Sequence, residues 1–385
     1  MTASGISVSD VVVVGGGLIG TATAWRLAAV GLDVTLVVGE RSAAASRVAA
    51  GMLAAVTETT FTERTLLALN QASARRWPSF SAEVVEASGQ PSGLREGPTV
   101  SVASDPDDSA RLRTFADYLA RQGLQHERLT SRECRALEPL LAPTVRSGLL
   151  VPSDWSCDNR VLLEALTTAA QRAGVREVTG FVHRVESVDG RVTGATLADG
   201  TPLATGRVVL ANGAWAAQVD GVPGVPVRPV KGQILRLDPG RLPSPGLTVR
   251  AFSRGNEVYL VPREHGRELV VGATVEEQGF DHRVTAGGVY ELLRDARQVV
   301  PMTAEYALAE TSVGWRPNTP DNAPIFGGCA LEGLSLVTGH HRNGVLLTPV
   351  SADVAASYVL SGVLDEVAAP FTLDRFDRSP VGATR

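Results

Sequence analysis

The sequence predicts an α/β fold built on a Rossmann-like dinucleotide-binding unit, and three observations carry that expectation. A continuous β-branched run, Val11-Val12-Val13-Val14, leads straight into Gly15-Gly16-Gly17-Leu18-Ile19-Gly20. A helical stretch with Ala22, Ala24, Trp25, Leu27 and Ala28 follows, and Val34-Thr35-Leu36-Val37-Val38 reads as a second strand. The chain is 385 residues long, which at roughly 100–200 residues per domain suggests about two domains.

The first element is an unbroken apolar strand, the mark of a strand buried on both faces of a parallel sheet. The glycine string that follows fits G-x-G-x-x-G. Gly15 permits the tight turn, and Gly17 lets backbone N–H groups approach a pyrophosphate where Leu18 and Ile19 open the helix. Gly20 lets helix and strand pack closely. A carboxylate for the ribose hydroxyls is expected at the end of the second strand, about 20 residues on. Val38 stands there, and Glu40 follows two residues later. Either Glu40 reaches back, or backbone and water hold the ribose.

Further along, Ser46-Arg47-Val48-Ala49-Ala50-Gly51-Met52-Leu53 is small, apolar and suited to close approach of a flat ring system. A β-rich passage from Val182 to Thr196 precedes another apolar strand, Val208-Val209-Leu210, and a small-residue turn through Gly213. This second return to the nucleotide unit favours FAD over NAD.

Composition limits the alternatives. A net charge of −5 lacks the basic excess of a nucleic-acid binder, and no apolar run reaches the roughly 18 residues of a membrane helix. The first ten residues have neither the basic nor the apolar region of a signal peptide. Cys134, Cys157 and Cys329 are too few and scattered for a disulfide framework, and no metal spacing is present. A cytoplasmic, metal-free protein is the expectation. Lys231 is the only lysine among 36 basic residues, and a site needing a compact point charge would resist replacement by arginine.

Taken together, these segments and several others resemble the FAD-dependent D-amino-acid oxidase family, in particular the glycine oxidases of thiamine biosynthesis. The matching words are Gly15–Gly20, Ala49-Ala50-Gly51-Met52-Leu53, Val230-Lys231-Gly232-Gln233, Tyr259-Leu260-Val261-Pro262-Arg263, Val271-Gly272-Ala273-Thr274, Arg316-Pro317 with Thr319-Pro320-Asp321-Asn322, and Gly339-His340-His341-Arg342-Asn343-Gly344. The resemblance implies non-covalently bound FAD in a discontinuous Rossmann-like domain, with a mixed-sheet substrate domain over the flavin. Residues 1–85, 143–226 and 313–370 are expected in the first, 86–142 and 227–312 in the second, and 371–385 in a tail; the chain after Leu364 is expected to be poorly ordered. It also implies hydride transfer from a substrate α-carbon to flavin N5, reoxidation by O2 with release of H2O2, and a possible homo-oligomer.

Residue by residue, the resemblance makes Arg316 the clamp on a substrate carboxylate, a task its planar fork suits. Gly314, two positions back on the same strand face, leaves room beside it. Tyr259 is expected to line the substrate pocket. Arg342, Asn343 and Gly344, ahead of an apolar helix from Val345 and Leu346 to Leu360, are expected to aim a positive helix end at the flavin pyrimidine. Thr348-Pro349 is itself a good helix start. His340 and His341 are assigned no catalysis, and Lys231 is expected to contact either flavin or a structural carboxylate. Trp315, Asn318 and Ser312 depart from the family pattern; Asn318 shares the face of Arg316 and is expected to narrow or polarise the pocket, whereas Trp315 points away. The expected substrate is glycine or another small amino acid. An amino sugar, a secondary amine and dehydrogenase chemistry without oxygen remain alternatives.

Overall fold

Val11, Val12 and Val13 are wholly buried, because the strand they form has neighbours on both edges and cover on both faces. In the computed structural model, which describes residues 8–39, 45–253, 256–263 and 266–377, this strand is central in a six-stranded sheet. The order is Ile325–Gly328, Leu334–Thr338, Val208–Leu210, Val11–Val14, Val34–Val38, Arg176–Thr179. All pairings are parallel except that of Ile325–Gly328. One face is covered by helices Leu18–Ala29, Arg64–Ser88, Asn159–Arg172 and Thr348–Ser361, with Trp77 and Phe80 of the long helix in the core. The other face is covered by the hairpin Val182–Val188/Arg191–Leu197 and the segment through Val219 and Val225. Val208–Leu210 pairs directly with Val11–Val14, so the return to the nucleotide unit expected from the sequence occurs.

The second sheet has eight strands in the order Ala307–Asn318, Arg228–Asp238, Glu268–Gly272, Asn256–Arg263, Thr248–Ser253, Thr99–Ala103, Ser147–Val151, Glu127–Thr130. It is mixed, with Thr248–Ser253 and Thr99–Ala103 parallel. Period 2 sorts its side chains. Val100, Leu235, Val249, Leu260 and Val271 pack on helix Ala286–Val299, while Ile234, Val261 and Val270 meet Val48 and Ala50 on the opposite face. Strands Ser147–Val151 and Ala307–Asn318 run in this sheet, so the segments 143–226 and 313–370 each begin within it.

Two expectations are corrected. The helix expected from Val345 begins at Thr348, with Pro349 in its first turn; proline lacks an N–H and is at home there. The end of the chain is packed as far as residue 377: Phe371 and Leu373 are buried, and Arg375 pairs with Asp321 at 2.7 Å. Residues 378–385 lie outside the described residues.

Candidate active site

The turn after the first strand is shaped by main-chain contact. Gly15 has φ +118°, and a Cβ on Gly20 would lie 1.9 Å from the Gly15 carbonyl oxygen. The helix therefore starts hard against the strand, with its first amides facing a cavity. Ser46 Oγ accepts from the Leu18 N–H at 3.0 Å. Val38, in the position expected to be acidic, instead packs over Gly16: a Cβ there would come 2.6 Å from Val38 Cγ1. Glu40 lies outside the described residues.

The segment after Ser46 is pinned from below. Asn159 Nδ2 donates to the Ser46 carbonyl at 2.7 Å, Arg160 Nε to Arg47 at 3.0 Å, and Arg263 to Ala50. Gly51 has φ +67°, and its missing Cβ lets Cys157 O approach; Cys157 N–H donates back to Gly51 O at 2.7 Å. Buried Asp154 accepts from Val56 N and Thr57 N at 3.0 and 2.6 Å, fixing the chain just beyond.

A cavity of about 1180 Å³ runs between the two sheets. Gly15, Gly17, Leu18, Ile19, Ser46, Ala50, Gly51, Met52, Gly213, Gly314, Gly344 and Val345 all line it, as do Arg316, Tyr259 and Arg342. Gly20, Asn343 and Leu346 lie behind the lining. Leu346 O accepts from Trp77 Nε1 at 2.9 Å and Ser73 Oγ at 2.6 Å. Among the described residues no acceptor meets the amides of Gly344, Val345 and Leu346. The free amide end expected here is thus a turn ahead of the helix.

Sequence reasoning missed the ion pair Arg250–Glu58, at 2.8 Å on the cavity wall. Arg250 pairs with Tyr259 across adjacent strands; Glu58 stands 192 positions away in sequence and gave no motif to notice. It also missed Phe181, which lines the cavity beside Gly39, and Trp215.

Three arginines crowd the end of the cavity under the eight-stranded sheet. Arg250 has Glu58, and Arg342 has Glu63 at 2.9 Å. Arg316 has no carboxylate partner among the described residues; its Nη1 donates only to the carbonyls of Thr274 (3.1 Å) and Lys231 (3.4 Å). Gly232, opposite Gly314, leaves space for it, since a Cβ there would lie 2.5 Å from Arg316 Nη1. Burial pushes the Tyr259 phenol above its usual range, and the Arg316 charge opposes this. Tyr259 is therefore a neutral donor at physiological pH.

Trp315 points to the face opposite Arg316, as expected, and packs on Trp215 and Phe280 with centroids 5.7 and 5.6 Å away. Asn318 is corrected: it is buried outside the cavity lining, at the end of its strand. With its amide turned to satisfy its neighbours, it donates to Asn322 Oδ1 (2.9 Å) and His341 Nδ1 (3.0 Å).

His340 and His341 both have pKa values lowered to about 3, by burial and, for His341, also by the nearby Arg342, Arg316 and Arg228. His340 Nε2 shares a hydrogen with Ser351 Oγ at 2.8 Å. Between pH 6.5 and 3 the unfolded chain binds protons that the folded one refuses, so stability falls as pH falls through that window. The slope is at most about 1.4 kcal/mol per pH unit for each histidine. Thermal melts should show the midpoint dropping from pH 7 to pH 5, and His340→Gln should flatten that drop. A midpoint equally pH-dependent in the variant would remove His340 as a source.

A strand–glycine turn–helix unit facing a second sheet across one large cavity defines a two-sheet dinucleotide-binding enzyme. The sequence profile of the family described as "FAD dependent oxidoreductase" matches residues 10–358. The chain belongs to that family, and FAD is its cofactor. It is 34% identical over 373 residues to a glycine oxidase of Geobacillus kaustophilus, covering 95% of this chain and 97% of the relative. It is 32% identical over 372 residues to a bifunctional protein ThiO/ThiG of Trichormus variabilis. That match takes in 96% of this chain but spans only 55% of the relative. Among solved structures, the G. kaustophilus glycine oxidase superposes with a TM-score of 0.86 at 32% identity, covering 95% of this chain and 98% of that one. An iminodiacetate oxidase of Chelativorans sp. superposes at 0.84 and 26% identity, covering 94% and 98%.

The residues present fit FAD. The cavity exceeds the usual range for small-ligand sites, about 300–1,000 Å³. A Cβ on Gly17 would approach Ser46 Oγ to 2.9 Å, so the cradle stays open only for glycine. Buried Asn212 Oδ1 and Trp315 Nε1, both on lining residues, have no protein partner. No helix among the described residues is long and apolar enough to cross a membrane.

Proposed function

We propose that the protein is an oxidase of glycine or a similarly small amino acid or amine. One observation supports this above the others: of the three arginines at the reacting end of the cavity, only Arg316 is left without a carboxylate. A guanidinium held by two main-chain carbonyls and in contact with the Tyr259 hydroxyl still has N–H groups to offer a substrate carboxylate.

FAD, when bound, supplies the acceptor for a hydride from the substrate α-carbon and hands the electron pair to O2, giving H2O2. Leu18 and its neighbours at the helix start, with Ser46, would hold its pyrophosphate; Ala50, Gly51 and Met52 would lie along its ring. Arg316 fixes the carboxylate, and the Tyr259 hydroxyl donates to its second oxygen. Enclosure of the substrate nitrogen in this cavity disfavours its charged form, which favours an amine free of its proton. The imine product hydrolyses after release. Arg250–Glu58, beside Tyr259, supports a second reading in which the nitrogen carries a further polar substituent, as in a secondary amine.

The purified protein should be yellow and should bleach when mixed anaerobically with glycine, then yield peroxide on admission of air. Bleaching by sarcosine or iminodiacetate but not glycine would favour the second reading. A flavin that no amine reduces would end both, and reduced protein that reoxidises slowly in air would remove the oxidase assignment.

A further inference from the structure

We propose that Lys231 is a positioning residue for Arg316, acting through the loop at residues 274–281; this rests on Arg316 being the carboxylate clamp. The chain's only lysine has a fully buried side chain. Its ammonium lies 2.9 Å from Asp281 Oδ2 and 3.2 Å from Glu276 Oε2. It points to the sheet face opposite Arg316 and takes no part in lining the cavity.

The main chain repeats the tie. Lys231 N–H donates to Glu276 O and Glu276 N–H to Lys231 O, both at 3.0 Å. Glu276 Oε1 accepts from Thr274 Oγ1 at 2.6 Å and from buried Gln233 Nε2 at 2.7 Å. Thr274 Oγ1 accepts from Gln233 N–H at 2.8 Å. Every member of this network converges on two peptide units, those of Lys231 and Thr274. Their carbonyls are the two acceptors of Arg316 Nη1.

The ammonium therefore sets, from behind the sheet, the spacing between the two carbonyls that aim the guanidinium. Three N–H groups on a compact head serve two carboxylates in this enclosed volume, which a planar guanidinium does not reproduce. The same loop carries Phe280, stacked on Trp215 at 5.4 Å, so releasing it also loosens the aromatic wall.

The test uses the FAD-loaded protein and a carboxylate that cannot be oxidised as an amine. Glycolate is titrated against the flavin visible band in wild type, Lys231→Met, Asp281→Asn and the double variant. The glycolate Kd and the KM for glycine should each rise roughly tenfold in either single variant, and the double variant should add little, because the two act as one unit. The limiting rate of flavin reduction should change far less than KM. If Lys231→Met does not fold, Asp281→Asn carries the same expectation. Lowered melting temperature with unchanged glycolate Kd would reduce Lys231 to a structural role and overturn the proposal. Wild type that ignores glycolate would overturn the clamp itself.

Discussion

Replacing Arg316 by methionine raises the KM for amino acids by roughly 10²–10⁴-fold while the protein stays yellow. Two charge-assisted hydrogen bonds to a carboxylate contribute about 1.5–3 kcal/mol each, and each 1.4 kcal/mol is a factor of about ten. Arg316 Nη1 is already engaged with Thr274 and Lys231, so the loss falls on the remaining N–H groups. Methionine keeps an unbranched stem beside Gly232 but removes the guanidinium and its charge. Steady-state kinetics with a parallel reading of flavin absorbance separates the two effects. An unchanged KM removes the clamp, and a colourless variant shows that Arg316 instead holds the cofactor.

Gly20→Ala leaves the protein colourless and markedly less stable. Its Cβ would lie 1.9 Å from Gly15 O, so the helix must retreat from the strand by an ångström or more. Overpacking of this kind costs about 1–3 kcal/mol or more, and the same retreat moves the helix start, with the Ile19 amide and the Leu18–Ser46 contact, away from the cavity. The flavin absorbance per protein chain and the melting temperature read both consequences. A yellow variant with a wild-type melting curve would show that this contact relaxes cheaply and that the glycine turn is not what holds the pyrophosphate.

Much of this was legible because local sequence and local structure coincide. Val11–Val14, the glycine turn, the helix from Leu18 and Val34–Val38 are contiguous, and each dihedral or packing demand falls on a residue type that meets it. Arg316 and Gly314 were legible because alternation along a strand fixes which side chains share a face. What could not be read depends on partners distant in sequence. Glu58 and Arg250 meet across nearly two hundred positions, and the carboxylates of Lys231 come from a loop whose docking only the fold decides. Asn318 follows the alternation that placed Arg316, yet sits just past the cavity, where that strand ends. Pro349 signalled the start of the last long helix more faithfully than the apolar run before it.

The Leu346 carbonyl, held from the rear by Trp77 and Ser73, has a consequence for electron transfer. Those two donors come from the buried face of the longest helix, which packs on the core of the six-stranded sheet. They hold the peptide plane that joins Leu346 to Leu347, and Leu347 N–H donates to Asn343 O at 2.8 Å, closing the turn that carries the amides of Gly344, Val345 and Leu346. With the flavin seated as proposed, negative charge on its reduced form would meet amides held in this turn, so little reorganisation is needed. The rear anchorage should thus bias the redox equilibrium toward the reduced, anionic state before any substrate has arrived.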